Sequence, residues 1–265
     1  MFSYKAIYVI IVREFKRFFR QRGRLLVTIS RPLLWLFIVG AGFTSMVNIP
    51  ADLSAVPTGQ AGISYKQFIL PGIIGLTILF SSIFSTISVV WDREFDFLRE
   101  MLVAPISRTT IVMGKILSGT ALSIFQGVIL LFVSPFLSLS ISFHQFAAMV
   151  LLIALVSLAI TAMGLVIASY LTSLEGFNVI MNFIVLPMFF LSGALYPVNT
   201  LPPVLQYLTF VNPLSYGIDA FKHVLLGSAL PPLGPEFPII LDIGAVIIFS
   251  IVMIILASLS FERKG

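Results

Sequence analysis

The sequence contains no cysteine, which excludes disulfides, thiolate metal ligands and a cysteine nucleophile. Charge is scarce as well: 10% of the 265 residues are Asp, Glu, Lys or Arg against 58% hydrophobic ones, whereas a soluble domain is about a quarter charged. With a mean hydropathy of +1.08, this composition describes an integral membrane protein. A phosphate loop is also missing. Gly114-Lys115 comes nearest to one, but Ile116 follows where a Ser or Thr is needed, and the leading glycine is absent. Ionisable groups at membrane depth are nearly absent too, since Asp242, Lys115 and Arg31 fall at predicted span ends and His144 and His223 in outer loops. Proton coupling and intramembrane hydrolysis both need such groups, so both are disfavoured. Energy for uphill movement must then come from a partner.

What is present is a series of long apolar runs. Each crossing takes roughly 20 apolar residues, and the runs Leu33–Ile49, Phe68–Val90, Ile116–Ser140, Phe146–Tyr170, Phe177–Leu195 and Ile239–Ser260 predict six spans. Pro71 with Gly72, and Pro187, predict kinks inside two of them. The net charge of +5 is unevenly placed, with seven basic residues among the first 24 and one acid, Glu14. On the six-span arrangement 14 basic residues fall on one side and only Lys66 and Lys222 on the other, so the positive-inside rule makes both termini cytoplasmic. That distribution reads as topology and membrane lipid, not as a nucleic-acid surface. Residues 1–24 form an amphipathic interfacial helix in this reading: Tyr4, Tyr8, Ile11, Phe15, Phe18 and Phe19 share one face, while Arg13, Lys16, Arg17, Arg20 and Arg24 lie opposite.

Between the second and third runs, residues 91–105 have a helical period of their own, with Trp91, Phe95, Leu98 and Leu102 spaced 4, 3 and 4 and Pro105 ending the pattern. Asp92, Arg93, Glu94, Arg99 and Glu100 supply charge around that stripe, so the segment suits either docking to a partner or packing on its own spans. Residues 192–238 are hydrophobic but broken by Pro197, Pro202, Pro203 and Pro213, and read as short helices in or dipping into the outer leaflet. A seventh span over Leu214–Leu230 is the competing reading, disfavoured because it would place Arg263 and Lys264 outside. Small and polar residues recur at helical spacing: Ser81, Ser85 and Ser88; Gly119, Ser123 and Gly127; Asn178 and Asn182, which the spacing puts on one face with Val185 and Phe189. Such stripes mostly pack helices together, and the serines and asparagines are also the candidates for a substrate pathway.

The run Trp91 to Pro105 followed by Arg108 and Gly114-Lys115 resembles the cytoplasmic loop of type-2 ABC exporter permeases, the daunorubicin-resistance and nodulation-factor exporter group. Leu191-Ser192-Gly193-Ala194-Leu195-Tyr196-Pro197, then Leu201-Pro202, then Asn212-Pro213-Leu214-Ser215-Tyr216 with Asp219, is similar to that family's outer segment. The resemblance covers nearly the whole chain. It implies one all-α transmembrane domain over residues 1–265, with six transmembrane helices, an N-terminal interfacial helix, a coupling helix at 91–105 and re-entrant outer helices before the last span. It also implies an assembly in which two permease subunits, a homodimer or a pair with a close relative, join two cytoplasmic ATPase subunits that carry the ATP and Mg. The permease itself then has no catalytic site and binds no cofactor. Trp91, Phe95 and Leu98 would enter a cleft of the ATPase, and Arg93, Glu94, Arg99 and Glu100 would set the register. The expected function is export of a hydrophobic or amphipathic molecule across the inner (plasma) membrane. Export of a polysaccharide or lipid-linked glycan, an ATP-independent channel or scramblase, and a membrane assembly factor stay open beside it.

Overall fold

A computed structural model describes residues 3–21, 23, 30, 32–35, 38, 65–95, 106–137, 139–227 and 234–264, and among them all regular structure is helical. The helices are α1 (Tyr4–Arg20), α2 (Tyr65–Ser85), α3 (Ile87–Glu94), α4 (Arg108–Leu131), α5 (Phe143–Tyr170), α6 (Leu174–Phe190), α7 (Pro203–Val211), α8 (Pro213–Leu225) and α9 (Ile239–Lys264). Short 3-10 turns occupy Ser134–Leu137 and Val198–Thr200. Four stretches are long and apolar enough to cross a membrane: Gln67–Glu94, Arg108–Phe136, Phe143–Tyr170 and Ile239–Glu262. Apolar α6 is shorter, at 17 residues. The first predicted span lies mostly outside the described residues, of which 32–35 and 38 are helical.

Local chemistry accounts for the helix boundaries. Ser107 Oγ accepts from the Thr110 N–H at the start of α4, and Ser173 Oγ from the Gly176 N–H at the start of α6. Ser142 and Gln145 satisfy each other's backbone N–H groups in a capping box before α5. Pro203 and Pro213 open α7 and α8, where a missing N–H costs nothing. The second apolar run is divided at Thr86, where Ser85 Oγ and Thr86 Oγ1 donate to the Ser82 and Ile83 carbonyls at 2.7 and 2.6 Å. Hydroxyls bonded back to the preceding turn compete with the helical ladder, which places the break there. Helix continues through Pro71 in α2 and Pro187 in α6, and α6 ends three residues beyond its proline.

The core is one apolar cluster in which α2, α4 and α5 pack together, with α9 along α5. Close approaches run through small residues. Gly119 of α4 lies against Ser85 and Thr161, Gly127 against Ile153, and Ser123 Oγ meets Ser82 Oγ at 2.9 Å. The small-residue stripe of α4 therefore packs helices. At the far end, the turn after α6 rests on α2, where a Cβ on Gly72 would meet the Ala194 carbonyl oxygen at 2.5 Å. Gly193 takes the left-handed φ of +69° that this turn requires. Helix α8 is wedged between α2 and α5, with Ile218 against Gly75 and Gly217 against Val156. The opposite end gathers α1, the foot of α3, the start of α4 and the C-termini of α5 and α9.

Candidate functional site

At that second end a buried charge cluster joins α1, α3 and α4. Lys115 Nζ lies 2.8 Å from Glu14 Oε1, 2.6 Å from Asp92 Oδ2 and 3.0 Å from Ser88 Oγ. Arg13 reaches the same two acids, at 2.7 Å to Asp92 and 3.1 Å to Glu14, and Arg17 lies 3.9 Å from Asp92. Lys115, Glu14 and Asp92 expose only 3%, 8% and 6% of their side chains, so each charge depends on the others for solvation. Burial pushes the Glu14 carboxyl up, but Lys115 and then Arg13 outweigh it and hold the group below its ordinary 4.5. Two arginines fasten the neighbouring helix ends. Arg93 donates to the Ser169 and Leu171 carbonyls at the end of α5, and Arg108 to those of Phe261 and Glu262 in α9, satisfying acceptors that a helix C-terminus leaves open.

These contacts redistribute the residues that the family resemblance assigned to docking. Asp92, expected in the docking face, is buried and ion-paired within the chain, and half-buried Arg93, expected to set the register, donates to the end of α5. Trp91, Glu94 and Phe95 do face outward; the Trp91 and Phe95 rings stack at 4.8 Å, with the Arg17 guanidinium 5.4 Å from the Trp91 ring centre. Leu98, Arg99, Glu100 and Leu102 lie outside the described residues.

Helix α1 also differs from its expected orientation. Its buried stripe is Ile7, Ile10, Glu14 and Phe18, about a quarter turn from the aromatic arc, and it packs on α4 with Ile10 against Gly114. Tyr4 and Tyr8 are exposed, Phe15 is half-buried, and Lys16 and Arg20 face outward. Arg13 and Arg17 turn toward the acids. The signal for this seam was a lone acid in a basic helix, but its lysine partner stands 101 positions away and no local period announces it.

Beside the cluster opens a cavity of about 540 Å³. Leu76, Phe80, Phe84 and Leu122 form its apolar wall, with Phe80 and Phe84 stacked 6° from parallel and Gln126 beyond Leu122 on α4, while Glu14, Arg17 and Ser88 form a polar foot beside Trp91. All three serines proposed for a pathway, Ser81, Ser85 and Ser88, line it. Ser85 bonds its own helix and Ser88 accepts from Lys115, whereas the buried Ser81 hydroxyl has no hydrogen-bond partner among the described residues. Asn178 and Asn182 do not reach this cavity. They lie on the exposed face of α6, one position off the buried stripe of Phe177, Met181, Val185 and Phe189, so their expected common face with Val185 and Phe189 is not observed.

A family model for ABC-2 type transporters matches residues 5–226, which takes in α1, the charge cluster, the cavity and α8. The chain belongs to that family. Among its relatives, the transport permease ycf38 of Porphyra purpurea is 32% identical over 229 residues, 84% of this chain and 76% of that one. The inner membrane transport permease YadH of Escherichia coli K12 is 26% identical, covering 77% of each chain. Nodulation protein J of Rhizobium meliloti is 27% identical over 91% of this chain and 86% of its own. An ABC-2 permease is a multi-pass membrane protein of transport, not itself an enzyme, and its family normally works with an ABC ATPase. In this permease the charge cluster ties the end of α3, which leads toward residues 96–105, to α1 and α4, and Arg93 ties it to α5.

Proposed function

We propose that this permease is the transmembrane subunit of an ATP-driven exporter that moves a hydrophobic or amphipathic molecule out of the cytoplasm. The observation that carries the reading is the cavity: an aromatic and aliphatic wall above a charged foot is complementary to a molecule with an apolar body and a polar end. Energy comes from two copies of a separate cytoplasmic ATPase holding ATP and Mg. That subunit docks at residues 91–105, where Trp91 and Phe95 stand exposed as a stacked aromatic pair. A push on that segment passes through Asp92 to Lys115 and Glu14, and through Arg93 to α5, so the cluster acts as a rigid joint between docking surface and cavity wall. The proposed topology has six spans, both termini in the cytoplasm, and α7 and α8 re-entering from the outside, with α8 seated against Gly75 and Val156.

Reconstitution in liposomes with the cognate ATPase tests this. ATP should drive uptake of an amphipathic dye into inside-out vesicles. Ser81→Trp, which fills the cavity, should abolish dye-stimulated ATP hydrolysis without releasing the ATPase, whereas Phe95→Asp should release it. Dye flux that needs no ATPase would identify a channel or scramblase instead, and transport unaltered by both substitutions would overturn the reading.

A further inference from the structure

The far end of the molecule holds a second buried charged group, separate from the cavity and the docking segment. Asp242, in the first turn of α9, is completely buried, and among the described residues no donor lies within hydrogen-bond distance of either carboxylate oxygen. An ionised carboxylate in that position is costly unless something compensates it. Its Oδ2 lies 3.7 Å from His223 Nε2, and one ligand atom each from Asp219, His223 and Asp242 lie within 4.8 Å of one another.

We propose that Asp219, His223 and Asp242 bind a divalent transition-metal ion, Zn2+ by the chemistry of the set, which clamps α8 to α9. One imidazole with two carboxylates is a borderline nitrogen and oxygen donor set, suited to zinc and unlike the six to eight oxygens that calcium requires. Tetrahedral zinc places its ligand atoms about 3.3 Å apart, so closure asks for side-chain movements of about 1 Å. Asp219 is already oriented from behind: the Phe237 N–H donates to its Oδ2 at 2.8 Å, and the Glu236 N–H donates to both of its oxygens. Such outer contacts fix metal-ligating side chains. His223 Nε2 lies 2.8 Å from the Phe237 carbonyl, a contact that this nitrogen gives up when it turns to the metal. Charge supports a dication as well. With all groups ionised, Asp219, Glu236 and Asp242 face, among the described residues, the single Lys222 ammonium, 3.9 Å from Asp219, which leaves an excess of two negative charges. His223, with 24% of its side chain exposed, provides access for the ion.

The test is zinc titration of the purified, tag-free chain in detergent against a chromogenic chelator, with metal content measured after dialysis. One Zn2+ per chain is expected, with calcium unable to compete. Asp242→Asn and His223→Gln should each weaken binding about 100-fold or more, while His144→Gln, removing the other histidine, should change nothing. Zinc should also raise the melting temperature of the wild type and not of Asp242→Asn. A wild-type chain that binds no stoichiometric zinc overturns the proposal, and so does binding that survives both ligand substitutions. If Asp242→Asn does not fold, His223→Gln and the wild-type stoichiometry decide.

Discussion

Among the described cations that meet at α1, α3 and α4, Lys115 is the one whose ammonium is enclosed, and two buried acids and a serine converge on it. A buried ion pair adds little net stability over an apolar replacement, but removing one partner leaves the others charged and dry. Lys115→Met should therefore cost about 3–5 kcal/mol, read as a lowered melting temperature in detergent. Glu14→Gln should cost less, because Lys115 keeps Asp92 and Ser88. Acid separates the two ends of the pair. Since the Glu14 carboxyl is held below 4.5, its contribution is complete above the unfolded value and is lost as pH falls through the lower folded one. Melting temperature should accordingly drop with acidification below about pH 4.5, and the drop should be shallower in Glu14→Gln; equal slopes would mean that Glu14 carries no linkage.

At the scale of the helix, glycines of one sequence type have opposite roles. A Cβ at Gly119 would strike the Ser85 and Thr161 side chains where α2, α4 and α5 meet, whereas Gly244 in α9 has nothing within 4 Å. Gly119→Val should destabilise by about 1–3 kcal/mol through overpacking, and Gly244→Ala should be neutral or slightly stabilising through helix propensity. Comparing the two melting temperatures checks that assignment, and a tolerant Gly119 would return the stripe to the pathway reading. The helices of α4, α5 and α9 were legible because apolar length and polar caps are local properties. The break at Thr86 was not legible, because hydroxyl back-bonding prevails over the helical ladder only once α5 packs beside it with Gly164. The facing of α1 escaped for a related reason: periodicity reports a polar and an apolar side, while the buried stripe follows the ion pairs and runs along the seam between them. The serine stripe of α2 and α3 was visible in the sequence as a spacing, but only the fold joins Ser81, Ser85 and Ser88 to Glu14 and Arg17 in one cavity.

Across the whole molecule, two exposed surfaces of different character decide what surrounds it. The outward arc of α9 is aliphatic, with Ile240, Ile248, Ile251 and Ile255 more than half exposed, and suits lipid chains. The outward arc of α6 mixes Val179 and Phe183, 70% and 80% exposed, with Asn178 and Asn182, whose amides are costly against hydrocarbon. Side-chain amides in a membrane find partners on neighbouring helices, so a second permease subunit should cover α6 and leave α9 to lipid. Because the chain has no cysteine, each introduced one is unique. Oxidation of Asn182→Cys or Phe183→Cys in native membranes should give a covalent dimer, since a disulfide forms only where Cβ atoms come within about 4.5 Å. Ile251→Cys should stay monomeric under the same oxidant. Cross-linking at Ile251 with none on α6 would move the subunit interface to α9, and would also remove α6 from the wall of any path between subunits.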